Sequence, residues 1–138
     1  MRSFPKRGRV NNGAHILVVS RDHMLLQTRA LILGAYFQVE AAGWVPEAEA
    51  AMGKQPFDLI VLCYSLSDDE YRKMAELCRS QNPPPKVLTL NAANNGRPRD
   101  GGDGEFAVEQ GPYELLKKTA ELVGFPLKPM GRQPQIQS

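Results

Sequence analysis

A thiol stands where an apolar run stops, in Phe57-Asp58-Leu59-Ile60-Val61-Leu62-Cys63. Leu59 to Leu62 are apolar without interruption, the pattern of a strand covered on both faces. In open α/β sheets, chemistry gathers at the carboxyl ends of such strands, so Cys63 holds a position from which a nucleophile would act. A cation nearby would favour the thiolate, and Arg21, just past an earlier apolar run, is placed to supply one. The other reading of Cys63 is a small buried hydrophobe without reactivity. Cys78 falls on the sheet-facing side of a helix and reads as core filler. A Cys63–Cys78 disulfide would have to join a strand end to the far end of the next helix, beyond the ~7 Å reach of paired Cα atoms.

The remaining polar clusters have simpler explanations. Asp68, Asp69 and Glu70 resemble a metal cluster, but they follow Ser67, and Ser67 with Glu70 forms the Ser-x-x-Glu capping pair of a helix start. Negative charge is favourable there. Gly101-Gly102-Asp103-Gly104 suggests a phosphate cradle until its context is read. A strand follows it and not a helix N-terminus, so it is expected to be a flexible connector. His15 and His23 have no further metal-ligating side chains at useful spacing, which argues against zinc. No metal, cofactor or catalytic residue is expected.

The elements that must position these residues alternate regularly. Residues 15–19 (HILVV) form a first buried strand, and Asp22 is an N-cap for a helix carrying Leu25, Leu26, Ala30, Ile32 and Leu33 as far as Gly34. Phe37, Val39 and Ala41 alternate with Gln38 and Glu40, marking a half-exposed strand at a sheet edge. Pro46 opens a second helix with Ala48, Ala51 and Met52 inward. The strand ending at Cys63 comes next. A third helix places Tyr71, Met74, Ala75 and Cys78 at i, i+3, i+4 and i+7. Val87 to Leu90 make a fourth strand, and Phe106-Ala107-Val108 a short fifth. Pro112 starts a last helix with Leu115, Leu116, Thr119, Leu122 and Val123 on one face and Gly124 past its end. Helix-forming content vanishes between Ala92 and Glu105, so a helix there is expected to be missing or disordered.

Strands alternating with helices predict a flavodoxin-like (βα)5 three-layer sandwich, with a parallel five-stranded sheet of order 2-1-3-4-5. The 138 residues suit one such domain, over 14–124, between an expected disordered basic leader (1–13) and an expected flexible Pro- and Gln-rich tail (125–138), and no output domain is expected after it. A net charge of +2, from 17 basic and 15 acidic residues, argues against nucleic acid as a partner. No apolar stretch approaches the roughly 18 residues of a membrane span, and the basic start lacks the apolar core of a signal peptide. The two cysteines sit inside patterned segments, which suits a reducing cytoplasm.

The segments HILVVSRD, PFDLIVLCYSL, KVLTLNA and EFAVEQGPYELLKK resemble, in order and spacing, the receiver domain of bacterial two-component response regulators. The resemblance covers residues 14–124. It implies an acidic pair for Mg²⁺ after the first strand, a phosphoacceptor aspartate after the third, Thr or Ser after the fourth, and Lys-Pro after the fifth. This chain has Ser20 and Arg21 at the acidic pair with Asp22 one place late, Cys63 at the acceptor, Asn91 at the Thr/Ser position, and Glu109-Gln110 at Lys-Pro. The aromatic that toggles in the family's switch falls on Phe106. Mg²⁺ wants carboxylate and water oxygens, and a guanidinium offers it only positive charge. Phosphoryl transfer depends on positioning and charge neutralisation that these residues lack.

The expected protein is therefore a degenerate, stand-alone receiver-like signalling domain that works by protein–protein interaction without phosphorylation. It is not expected to be an enzyme. Its partner would be a histidine kinase, another regulator or a second copy of itself, met through a surface around Phe106, Tyr113 and residues 93–104. A thiol-based sensor or enzyme using Cys63 is the second hypothesis, and a conventional phosphorelay receiver the third. Arg21 and Glu109 are expected to form an ion pair where the family has its acids and lysine.

Overall fold

The computed structural model describes residues 13–92 and 102–124. Five parallel strands form one sheet in the order β2-β1-β3-β4-β5, with β1 at His15–Val19, β2 at Gln38–Ala42, β3 at Leu59–Leu62, β4 at Lys86–Asn91 and β5 at Gly104–Ala107. Four α-helices accompany them among the described residues: α1 His23–Gly34, α2 Val45–Lys54, α3 Asp68–Arg79 and α4 Pro112–Val123. Among the described residues this is the flavodoxin-like architecture with one helix fewer than the full pattern. The expectations for the leader, the tail and a disordered stretch at 93–101 fall outside the described residues. No helix among the described residues is long and apolar enough to cross a membrane.

The strands divide the core by alternation. Ile16, Val18, Leu59, Val61 and Cys63 join Leu88, Leu90 and Phe106 on the face that α1 and α4 cover. Leu17, Val19, Ile60, Leu62 and Val87 point the other way, to Met52 of α2 and Tyr71, Met74 and Cys78 of α3. Every residue from Ile16 to Val19 and from Leu59 to Leu62 is wholly buried, which is why the central strands read as continuous apolar runs. Each such aliphatic side chain contributes about 1.5–3 kcal/mol through burial.

Local sequence accounts for the helix starts. The Asp22 carboxylate accepts from Leu25 N at 3.1 Å. At α3, Ser67 Oγ accepts from Glu70 N at 3.1 Å while Glu70 Oε1 accepts from Ser67 N at 2.9 Å, closing the capping box. Gly124 ends α4 in the left-handed region at φ 76°, where a side chain would be strained.

Two local expectations need correction. Ala41 was to share the buried face of β2 with Phe37 and Val39, yet it is exposed and Ala42 is buried on the opposite face. The strand is at the sheet edge, where the face that Ala41 occupies is left open at that position. The glycine-rich stretch, in its described part, is also more than a connector. Asp103 N donates to Val87 O and Asp103 Oδ2 accepts from Val87 N, both at 2.7 Å. Gly102 passes so close to β4 that a Cβ there would stand 2.8 Å from Thr89 Oγ1. That oxygen is itself held by Tyr71 Oη at 2.8 Å in a buried contact between α3 and β4.

Ser67→Ala removes one half of the capping box without touching the core. It should lower stability by about 1 kcal/mol, read as a shift in the urea midpoint at unchanged m-value.

Candidate functional site

The carboxyl ends of β1 and β3 bring Ser20, Arg21 and Cys63 together. Val19 and Leu62 are register partners, and Cys63 N donates to Val19 O at 3.1 Å, so Ser20 and Cys63 leave the sheet side by side. Both are fully buried. Ser20 is held by its backbone, with its N donating to Ala42 O at 3.1 Å, and by three contacts of its hydroxyl. Ser20 Oγ donates to Asp22 O at 3.1 Å, accepts from Asp22 N at 3.2 Å and meets Ser65 Oγ at 3.0 Å. Ser65 Oγ also accepts from Arg21 N at 2.9 Å. A mesh of two hydroxyls and backbone groups thus occupies the junction of the two strand ends.

Arg21 turns away from this junction. Its Nε lies 3.5 Å from Glu70 Oε2, at the head of α3, so the expected pairing with Glu109 gives way to one with Glu70. The reason is local: the capping box already orients Glu70 at the adjoining loop, leaving its second oxygen toward Arg21. Both partners are partly solvated, so the pair contributes at most about 1 kcal/mol. Glu109 lies exposed in a single 3-10 turn, Val108–Gln110, after β5. Asn91 is the half-buried last residue of β4, in register with Ala107.

The cation acting on Cys63 is Arg29, not Arg21. Arg29 shares the inward stripe of α1 with Leu26 and Leu33 and is only 8% exposed. Its Nη1 is buried without a hydrogen-bond partner. Burial pushes the Cys63 thiol up to about 11 from 9.0, against the opposing pull of the Arg29 guanidinium and a hydrogen bond from Ser20. Desolvation wins, and Cys63 is a neutral thiol at physiological pH. Cys78 is raised to about 12, again chiefly by burial. Both cysteines are free.

These donors do not suit Mg²⁺. Hard cations take carboxylate and water oxygens. The strand ends present a hydroxyl, an outward guanidinium and a protonated thiol, and the Asp22 carboxylate is engaged by the first turn of α1. Among the described residues no group of three or more His, Cys, Asp or Glu side chains is placed to hold a metal ion. Of the two residues expected at an interaction surface, Phe106 is 5% exposed and belongs to the core, whereas Tyr113 is 40% exposed with Lys117 Nζ 5.6 Å from its ring centroid. An aromatic at every-other position of a short strand faces either way, and here the α4 face claims Phe106.

Arg29 and Ser65 carry parts of this site that the sequence reading passed over. Arg29 had a visible signal, since it stands three after Leu26 and four before Leu33 on one helical stripe. Ser65 had none, being a loop residue that meets Ser20 across 45 positions.

With this geometry in view, the fold is that of a CheY-like response-regulator receiver domain. The chain matches a response regulator receiver domain protein from Methanospirillum hungatei JF-1 at a TM-score of 0.69, with 23% identity over 82% of this chain and 95% of that one. It matches chemotaxis protein CheY4 of Vibrio cholerae at 0.68, with 22% identity over 80% of this chain and 98% of that one. A two-component response regulator from Clostridium difficile matches at 0.66, with 17% identity over 80% and 96%. No family model and no curated protein matches the sequence. At these identities the likeness establishes the fold.

Two measurements check the buried chemistry. Arg29→Met replaces a buried guanidinium whose Nη1 lacks a partner by an apolar chain of similar length and should raise stability by about 1–3 kcal/mol in urea unfolding. For Cys63 the folded state keeps a proton that the unfolded chain releases above pH 9.0, so stability falls as pH climbs from there toward 11. Between pH 7.5 and 10.5 the Cys63→Ala variant should lose about 2 kcal/mol less than the parent protein.

Proposed function

We propose that this chain is a receiver-like signalling domain that works by binding other proteins and takes no phosphoryl group at its strand ends. The observation that carries the reading is Cys63, fully buried and protonated at the end of β3, where the receiver fold carries its acceptor aspartate. Around it, Ser20 and Arg21 stand in place of the metal-binding acids, and Glu109 in place of the lysine. A phosphoryl group arriving here would meet a buried thiol in place of an acceptor carboxylate, Ser20 and Arg21 in place of metal-binding acids, and Glu109 in place of the lysine that follows the fifth strand. The chain is then a partner-binding module of a cytoplasmic signalling system and not an enzyme. Its partner is a histidine kinase, a second regulator or another copy of itself.

The thiol reading draws no support from the site. A reactive cysteine needs access and a depressed pKa. Cys63 has no exposed surface and its thiol is shifted upward.

Incubation with acetyl phosphate and Mg²⁺ followed by intact mass measurement tests the proposal. The mass should stay unchanged. A stable gain of about 80 Da, one phosphoryl group, would overturn it.

A further inference from the structure

Two side-chain polar atoms among the described residues are buried without a hydrogen-bond partner, Arg29 Nη1 and Thr119 Oγ1. They lie in one layer. Arg29 is on the inward stripe of α1 and Thr119 on that of α4, the two helices that pack together over one face of the sheet. Both helices follow strands of a parallel sheet and so start at its carboxyl edge. Arg29 is the seventh residue of α1 and Thr119 the eighth of α4, which sets both at a depth of roughly 9–10 Å.

The guanidinium is the more costly of the two groups to leave unanswered. Arg21 and Arg72 each stand beside a carboxylate, Glu70 and Asp69. Arg29, at 8% exposure, pairs with none among the described residues. The Asp22 carboxylate is engaged by Leu25 N, and the Cys63 thiol is neutral. The rest of the chain has little to offer, since 1–12 and 125–138 contain no Asp or Glu and 93–101 only Asp100. A water molecule would satisfy Nη1 and leave the buried charge uncompensated.

We propose that Arg29 and Thr119 hold one small monovalent anion, of the halide class, between α1 and α4. The sign follows from the guanidinium, whose N–H groups only donate, with the Thr119 hydroxyl able to donate beside it. The single charge follows from the single cation. Lys117 and Lys118 of α4 stand by Glu114 and Glu121, so a divalent anion would keep one charge unpaired. The size follows from the surroundings: both orphan atoms are sealed from solvent, and Leu26, Leu33, Leu115 and Ala120 belong to the same layer. A bulky anion would have to displace those side chains. Such a site is independent of whether the strand ends take a phosphoryl group.

Urea unfolding in sodium chloride from about 1 mM to 1 M, balanced by sodium gluconate at fixed ionic strength, tests the site. Gluconate is too large to enter. Above the dissociation constant each tenfold rise in chloride should raise the folding constant about tenfold, because the anion binds the folded chain alone. Arg29→Met should abolish that dependence, and its gain in stability over the parent protein should shrink as chloride rises. Thr119→Val should shift the dependence to about tenfold higher chloride through loss of one hydrogen bond to a charged group. A parent protein indifferent to chloride, an equal response in Arg29→Met, or an unshifted response in Thr119→Val would each overturn the proposal. Equal destabilisation by Arg29→Met and Asp100→Asn without a chloride response would also overturn it, assigning the counter-charge to Asp100.

Discussion

The constraint on which the rest depends is that β1 and β3 have no face in contact with water. Eight consecutive-run positions, Ile16 to Val19 and Leu59 to Leu62, are wholly buried, packed between α1 and α4 on one side and α2 and α3 on the other. This burial places the strand ends with little freedom, because any rotation or slip would expose an aliphatic side chain. Ser20 and Cys63 therefore share one junction whatever chemistry they carry. In such a frame the character of the site depends on a handful of side chains at strand ends.

Those side chains make the junction itself a neutral, hydrogen-bonded mesh. The junction is closed by Ser20 and Ser65, which satisfy each other and the amides of Arg21 and Asp22. The buried thiol adds no charge at neutral pH. Charge lies around it, where Arg21 meets Glu70, where Asp22 caps α1, and on the α1 stripe, where Arg29 leaves one nitrogen unsatisfied. A buried polar mesh of this kind is worth having only when its members are satisfied, and the hydroxyls are. Arg29 is the exception, and its charge is the larger of the two influences, ahead of the Ser20 hydrogen bond, that pull the Cys63 thiol toward ionisation.

Most of the fold was legible because its signals are local. The α3 segment spells its own start with Ser67 and Glu70 and its own packing face with Tyr71, Met74, Ala75 and Cys78, all of them buried. The sheet order followed from one half-exposed and two fully apolar strands. Legibility failed where an outcome depends on which long side chain reaches which partner. Arg21 reaches Glu70 because the capping box holds that carboxylate in place, a fact of geometry that spacing alone does not carry. Phe106 turns inward because α4 lies over that face of β5, and Ala41 stays exposed because the sheet ends there. The Ser20–Ser65 contact joins loop residues with no periodicity to betray them.

The approach of Gly102 to Thr89 has a consequence for how this chain can vary. Position 102 tolerates no side chain while position 89 holds a hydroxyl pinned by Tyr71, since a methyl group would arrive 2.8 Å from that oxygen. The three positions are thus bound by epistasis: a change at one alters what the others accept. A chain that lost the Tyr71 hydroxyl would free Thr89 to rotate and loosen the demand for glycine. Relatives of this protein should therefore be found to keep or abandon the tyrosine, the threonine and the glycine together, a covariation written by one contact spanning α3, β4 and the approach to β5.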